Sequence, residues 1–138
     1  HDAVLQIHTG SGKSDIKHIE QLMRFIGKDV TLHLVHMGNN ASGLFYLIPR
    51  LKDWMAEGFN IVADTSWACG FGLRWLFQEI QGNKEIADCV MFASDEPWGI
   101  FDAAYSKVAS AFRDNDELLQ KLFWQNAERI YSKRGSAR

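Results

Sequence analysis

Four short apolar runs in this chain each end in side chains that can do chemistry. AVLQIH closes at His8, VTLHLVH at His36, NIVADT at Thr65, and the run from Cys89 to Ala93 at Ser94 and Asp95. Each run is β-branched or aliphatic and gives way to turn-forming residues, which is how a strand reads. In an α/β protein ligands bind outside the carboxyl ends of parallel strands, so a carboxylate or an imidazole at such an exit is a candidate for function. Asp95 ranks first among them. Pro97, with no backbone donor and a fixed φ, prevents the strand from continuing past it. The plain alternatives are a turn or helix cap for Asp95 and a structural role for a lone histidine.

Recurrence favours the chemical reading. The exits fall at positions 8, 36, 65 and 95, at intervals of 28, 29 and 30 residues. One strand plus its crossover helix takes about 30 residues, so the chain reads as four consecutive βα units of an α/β fold. Strand one spans Ala3 to His8, with Val4, Gln6 and His8 on one face and Leu5 and Ile7 on the other. Ser14 or Asp15 is expected to cap a helix that ends near Ile26, with Gly27 as its stop. Strand two, Val30 to His36, turns Leu32, Leu34 and His36 one way and His33 the other, beneath a helix. The next helix ends at Gly58, and Pro49 implies either a kink or a later start. Strand three ends in ADTSW, which offers Thr65, Ser66 and Trp67 to a cavity mouth. A helix over about Phe71 to Ile80 carries Arg74, and two apolar patterns follow strand four, around Tyr105 to Phe112 and Leu118 to Phe123.

Composition sets limits on function. The 138 residues are 46% hydrophobic and 12% aromatic, enough for a substantial core. A formal net charge of −2, with no basic run outside the tail at Lys133 and Arg134, argues against nucleic acid as a partner. No apolar stretch approaches the roughly 20 residues of a membrane span. Cys69 and Cys89 form no C-x-x-C pair and point to a reducing, cytoplasmic compartment. GSGKS has the look of a phosphate loop, but Ile7 stands where that motif needs glycine, so nucleotide binding is the weakest reading. The sequon Asn40-Ala41-Ser42 is read as chance. The chain opens on His1 with a strand pattern almost at once, which implies residues upstream and leaves a targeting segment unscored.

QIHTG, LVHMG, ADTS, FASDEPWG and the closing WQNAERIY resemble, in that order, the carboxy-terminal half of the amidohydrolase superfamily. The branch resembled includes metal-dependent amidohydrolases and aminocarboxymuconate-semialdehyde-type decarboxylases, and the resemblance covers nearly all of residues 1–138. It implies a (β/α)8 TIM barrel, of which this chain supplies strands five to eight, about half. It further implies that His8, His36 and Asp95 bind a divalent metal, zinc first with manganese or cobalt accepted, and that Asp95 acts as general base while His36 polarises the substrate or binds a second metal. Such an ion keeps an open position and lowers the pKa of bound water to about 7. The implied activity is hydrolysis of an amide, ester or lactone, or non-oxidative decarboxylation on the same scaffold. Trp67, Ser66, Arg74 and Trp98 would line the pocket of a small-molecule substrate. The family's first-strand His-x-His is missing, so the site is thinner than the family's. A half barrel leaves open strand edges, which implies a partner, either an amino-terminal half or a second copy, and a chain that is catalytically silent on its own is the third expectation.

Overall fold

The computed structural model describes residues 3–10, 15–38, 41–68 and 70–132. It is a mixed α/β structure around a parallel four-stranded sheet in the order β1-β2-β3-β4. The strands are β1 (Val4–His8), β2 (Thr31–Val35), β3 (Ile61–Asp64) and β4 (Val90–Met91). The helices are α1 (Ile16–Ile26), α2 (Ala41–Ala56), α3 (Gly70–Gly82), α4 (Lys84–Cys89), α5 (Phe101–Ala111), α6 (Asp116–Gln120) and α7 (Asn126–Tyr131). A π turn, Lys121–Gln125, joins α6 to α7.

Alternation along the strands sends side chains to two different environments. Leu32, Leu34, Ile61, Ala63 and Val90 join the main core, packing with Met23 of α1, Leu47 and Trp54 of α2, Leu76 of α3 and Val108 of α5. On the other face Val62 and Met91 meet Ile130 of α7, with Val4 and Tyr131 beside them. His33 is buried on this second face, so the helix above it is α7. Register supports the assignment: Gln6 pairs with His33, and His33 with Val62 of the second cluster.

Local signals behave as their chemistry requires. Asp15 caps α1 by accepting from the Lys17 N–H, and Gly27, at φ 84°, ends it. Ser14 lies outside the described residues, as do Cys69, Asn40 and most of GSGKS. Pro49 neither breaks nor delays α2, which runs through it from Ala41; the proline sits on the exposed side of the helix.

The expected strand from Cys89 to Ala93 is shorter than its apolar run. Asn83 caps α4 by accepting from the Glu85 and Ile86 N–H groups, and that helix takes in Cys89. After Met91 the backbone turns to the carboxy-terminal helices instead. The Phe92 N–H donates to the Leu122 carbonyl in the π turn at 2.9 Å, and the Asn126 amide donates to the carbonyls of Ala87 and Val90, both at 2.7 Å.

Two substitutions separate core from surface. Leu47 is fully buried and Phe25 is 88% exposed. In urea unfolding Leu47→Ala is expected to lose about 2–5 kcal/mol, and Phe25→Ala no more than about 0.5 kcal/mol. Equal effects of the two would contradict this assignment of the core.

Candidate functional site at the carboxyl ends of the strands

Thr9 joins the first two strand exits. Its N–H and its hydroxyl both donate to the Val35 carbonyl, at 3.0 and 2.7 Å, and its hydroxyl oxygen accepts from the Gly38 N–H at 2.6 Å. This clamp ties the end of β1 to the 3₁₀ turn His36–Gly38 that follows β2. It brings the rings of His8 and His36 together, edge to face, with centroids 4.9 Å apart. His8 is exposed and His36 buried. His36 stands beyond the end of β2, at φ 72°, so it does not continue the face of Leu32 and Leu34 as the alternation implied. The turn lies so close to α2 that a Cβ on Gly43 would overlap the Gly38 carbonyl oxygen.

Asp64, the last residue of β3, organises the next layer. One carboxylate oxygen accepts from the Ser66 hydroxyl, the Ser66 N–H at 2.9 Å and the His36 N–H at 3.2 Å. The other is 2.9 Å from Nε2 of His33. Nδ1 of His33 is 2.6 Å from the Tyr131 hydroxyl, which also accepts from the Gln6 amide at 3.0 Å. His36 Nδ1 lies 2.7 Å from Ser66 Oγ. Asp64, Ser66, His33 and His36 are all buried.

The electrostatics follow from this wiring. Burial alone would raise the pKa of Asp64, but the hydrogen bonds from His33 and Ser66 outweigh it and hold the carboxyl below its ordinary range. Burial depresses the His36 imidazole, against the opposite pull of Asp64 and Asp95, and favours its neutral form.

Asp95 is differently placed. It follows β4 at φ 61°, and one of its oxygens accepts from the Trp67 indole N–H. The Gly99 N–H closes the loop by donating to the Asp95 carbonyl at 2.7 Å, and a Cβ on Gly99 would overlap the Ser94 carbonyl oxygen. Beside this loop lies a groove of about 420 Å³ walled by Trp67, Trp98, Ile100 and Ala103, with Lys107 also in its lining. Two of the four expected pocket residues, Trp67 and Trp98, are therefore at a groove. Ser66 is buried within the Asp64 network, and Arg74 is exposed on α3, outside the groove lining.

The larger cleft, about 500 Å³, opens at the amino ends of β2 and β3 beside Thr31, Asn60, Asp88, Cys89 and Arg129. Burial pushes the Cys89 thiol up to about 12, so it offers no thiolate nucleophile there. The histidines and Asp95 place the candidate chemistry at the other end.

His8 and His36 together present nitrogen donors of the kind a zinc-type ion accepts. Among the described residues no three His, Cys, Asp or Glu side chains converge on one point that could hold an ion. The pair therefore fits as part of a ligand set, with Asp95 engaged by Trp67 and not gathered to it. The pattern of strand exits does not mark Thr9, Asp64 or Tyr131. A signal for Asp64 was present: it sits two residues after Val62, the partner of His33, and so shares the buried face of that histidine.

The chain matches no family model, no curated protein and no solved structure.

Asp64→Asn tests the network. An amide replaces one acceptor oxygen with a donor that must face another donor, so the variant is expected to lose about 3 kcal/mol near neutral pH. The wild-type carboxyl is more acidic folded than unfolded, so its stabilisation is complete above the ordinary value of 3.8 and is lost as pH falls through the lower folded value. Urea unfolding across that range should show the gap between the two proteins narrowing in acid; a gap independent of pH would contradict the assignment.

Proposed function

We propose that this chain is the carboxy-terminal half of a metal-dependent hydrolase of the amidohydrolase type, acting on an amide, ester or lactone. The observation that carries the reading is the meeting of His8 and His36 at the exits of adjacent parallel strands, with ring centroids 4.9 Å apart. Asp95 stands at the exit of β4, beside a groove walled by two indoles.

Strand order supports the barrel half. The four strands neighbour one another in chain order without a reversal, and the helices between them join one core. A doubly wound sheet reverses its order at a switch point, whereas a (β/α)8 barrel does not. In this reading the sheet corresponds to strands five to eight. The outer edges of β1 and β4 are where an amino-terminal half or a second copy of the chain would join.

His8 and His36 would contribute imidazole nitrogen to a divalent ion, zinc or alternatively manganese or cobalt, with Asp95 or a partner's residues completing its ligands. Such an ion, when bound, supplies Lewis acidity and water activated near neutral pH. Asp95 takes the proton from the attacking water and returns it to the leaving group, the task of a general base. His36, kept neutral by burial, keeps a ring lone pair to offer as a ligand. The indoles of Trp67 and Trp98 exclude water from an apolar substrate group.

Non-oxidative decarboxylation is the second reading, and Lys107 favours it. Its ammonium, which donates to the Ala68 carbonyl at 3.0 Å, is the one charged group among the described residues of the groove lining, and that positive charge suits a carboxylated substrate.

The experiment is a turnover assay of the assembled enzyme with zinc, manganese or cobalt, on amide, ester, lactone and carboxylate substrates, for wild type and Asp95→Asn. The expected loss in kcat is about 10²–10⁴-fold. Unchanged turnover in the variant would remove Asp95 from the mechanism, and release of CO₂ without hydrolysis would select the second reading.

A further inference from the structure

We propose that Asp64, acting through the Ser66 hydroxyl, holds His36 as its Nδ1–H tautomer and leaves the lone pair on Nε2. Ser66 Oγ has a single hydrogen and two neighbours that compete for it, a carboxylate oxygen of Asp64 and Nδ1 of His36 at 2.7 Å. That carboxylate oxygen carries the charge and can only accept, so the hydroxyl donates to it. Nδ1 must then bring its own hydrogen, which it donates to the serine oxygen. With the proton on Nε2 instead, Nδ1 would need the serine hydrogen, and the Ser66 and Asp64 oxygens would face each other with no hydrogen between them. Ser66 and Asp64 are 1% and 2% exposed, so solvent cannot relieve that contact.

The rest of the network leaves Asp64 no other role. Its two oxygens already accept from the Ser66 and His36 backbone N–H groups and face His33 Nε2. Every contact runs toward the carboxylate, which makes Asp64 the end point of two donor chains and not a link that passes a proton on. The same count removes Ser66 as a nucleophile. A serine nucleophile gives its proton to an imidazole, whereas this one accepts from the imidazole and gives its proton to Asp64.

Asp64 and Ser66 are therefore positioning residues that act through His36. Among the described residues none hydrogen-bonds His36 Nε2, so this nitrogen is the atom free to accept. The tautomer assignment stands independently of the proposed function. Its consequence, that Nε2 is the atom His36 offers to a metal or a substrate, rests on that reading and deepens it.

The test is long-range ¹H–¹⁵N correlation NMR of the metal-stripped protein with ¹⁵N-labelled histidines, above neutral pH, with His36→Gln used to assign the resonances. The expected spectrum gives His36 a pyrrole-type shift at Nδ1 and a pyridine-type shift at Nε2. Ser66→Ala should move His36 toward the opposite tautomer, and Ser66→Thr, which keeps the hydroxyl, should restore the wild-type pattern. If neither variant folds, the wild-type spectrum decides alone: a pyridine-type shift at Nδ1 overturns the proposal. Zinc titration of the same sample separates the two ideas. Failure to bind zinc with Nδ1–H in place counts against the metal site only, and zinc binding with a pyridine-type Nδ1 counts against the tautomer only.

Discussion

The buried carboxylate of Asp64 is the constraint on which the rest of this site depends. Taking an ionised carboxylate out of water costs several kcal/mol, and the cost is met only when its lone pairs are satisfied. Here the partners come from separate parts of the chain: His33 from within β2, His36 from the turn after it, and Ser66 from the loop after β3. Through His33 the network reaches Tyr131 on α7, and through Tyr131 it reaches Gln6 on β1. One anion thus ties together three strands and the last helix. Asp95 stands outside this network, with the Trp67 indole on one oxygen and a groove beside it.

A second constraint is backbone strain, and it falls at the same end of the sheet. Among the described residues, the non-glycine ones with left-handed φ are His36, Met37, Trp67 and Asp95, all in segments that leave strand exits. Each such residue costs about 1–2 kcal/mol unless its surroundings fix it. His36 is fixed by the Asp64 carboxylate and the Thr9 clamp, and Asp95 by the tight Ser94–Gly99 loop. Trp67 and Asp95 hold one another through the indole bond. The orientation of these side chains is therefore built into the fold itself.

Much of this was legible in the sequence, and the reason is local. The near-constant interval between strand exits follows from the length of a βα unit, and Asp15 and Gly27 bound α1 because capping acts within one turn. The exits themselves gave His8, His36 and Asp95. What stayed hidden depends on distance along the chain. Tyr131 meets His33 across 98 residues, and Leu122 takes the Phe92 N–H that a longer β4 would have used. Asp64 lies one residue before Thr65, where the apolar run reads as ending, so nothing local marks it. His36 continues the alternation of its strand in sequence, but three successive left-handed residues, ending at Gly38, turn the chain away before it can lie on that face. Arg74 carried no positional signal, and the helix carries it away from the groove.

The proposed metal site needs both a carboxylate-anchored His36 and its pairing with His8 as nitrogen donors. The most direct measurement of that pairing is zinc-edge X-ray absorption of the zinc-loaded protein. Two imidazole ligands with Zn–N distances of about 2.0–2.1 Å are expected, with loss of that imidazole signal when His8 and His36 are replaced together. A sulfur ligand at about 2.3 Å, or an imidazole signal that survives the double replacement, would contradict that pairing.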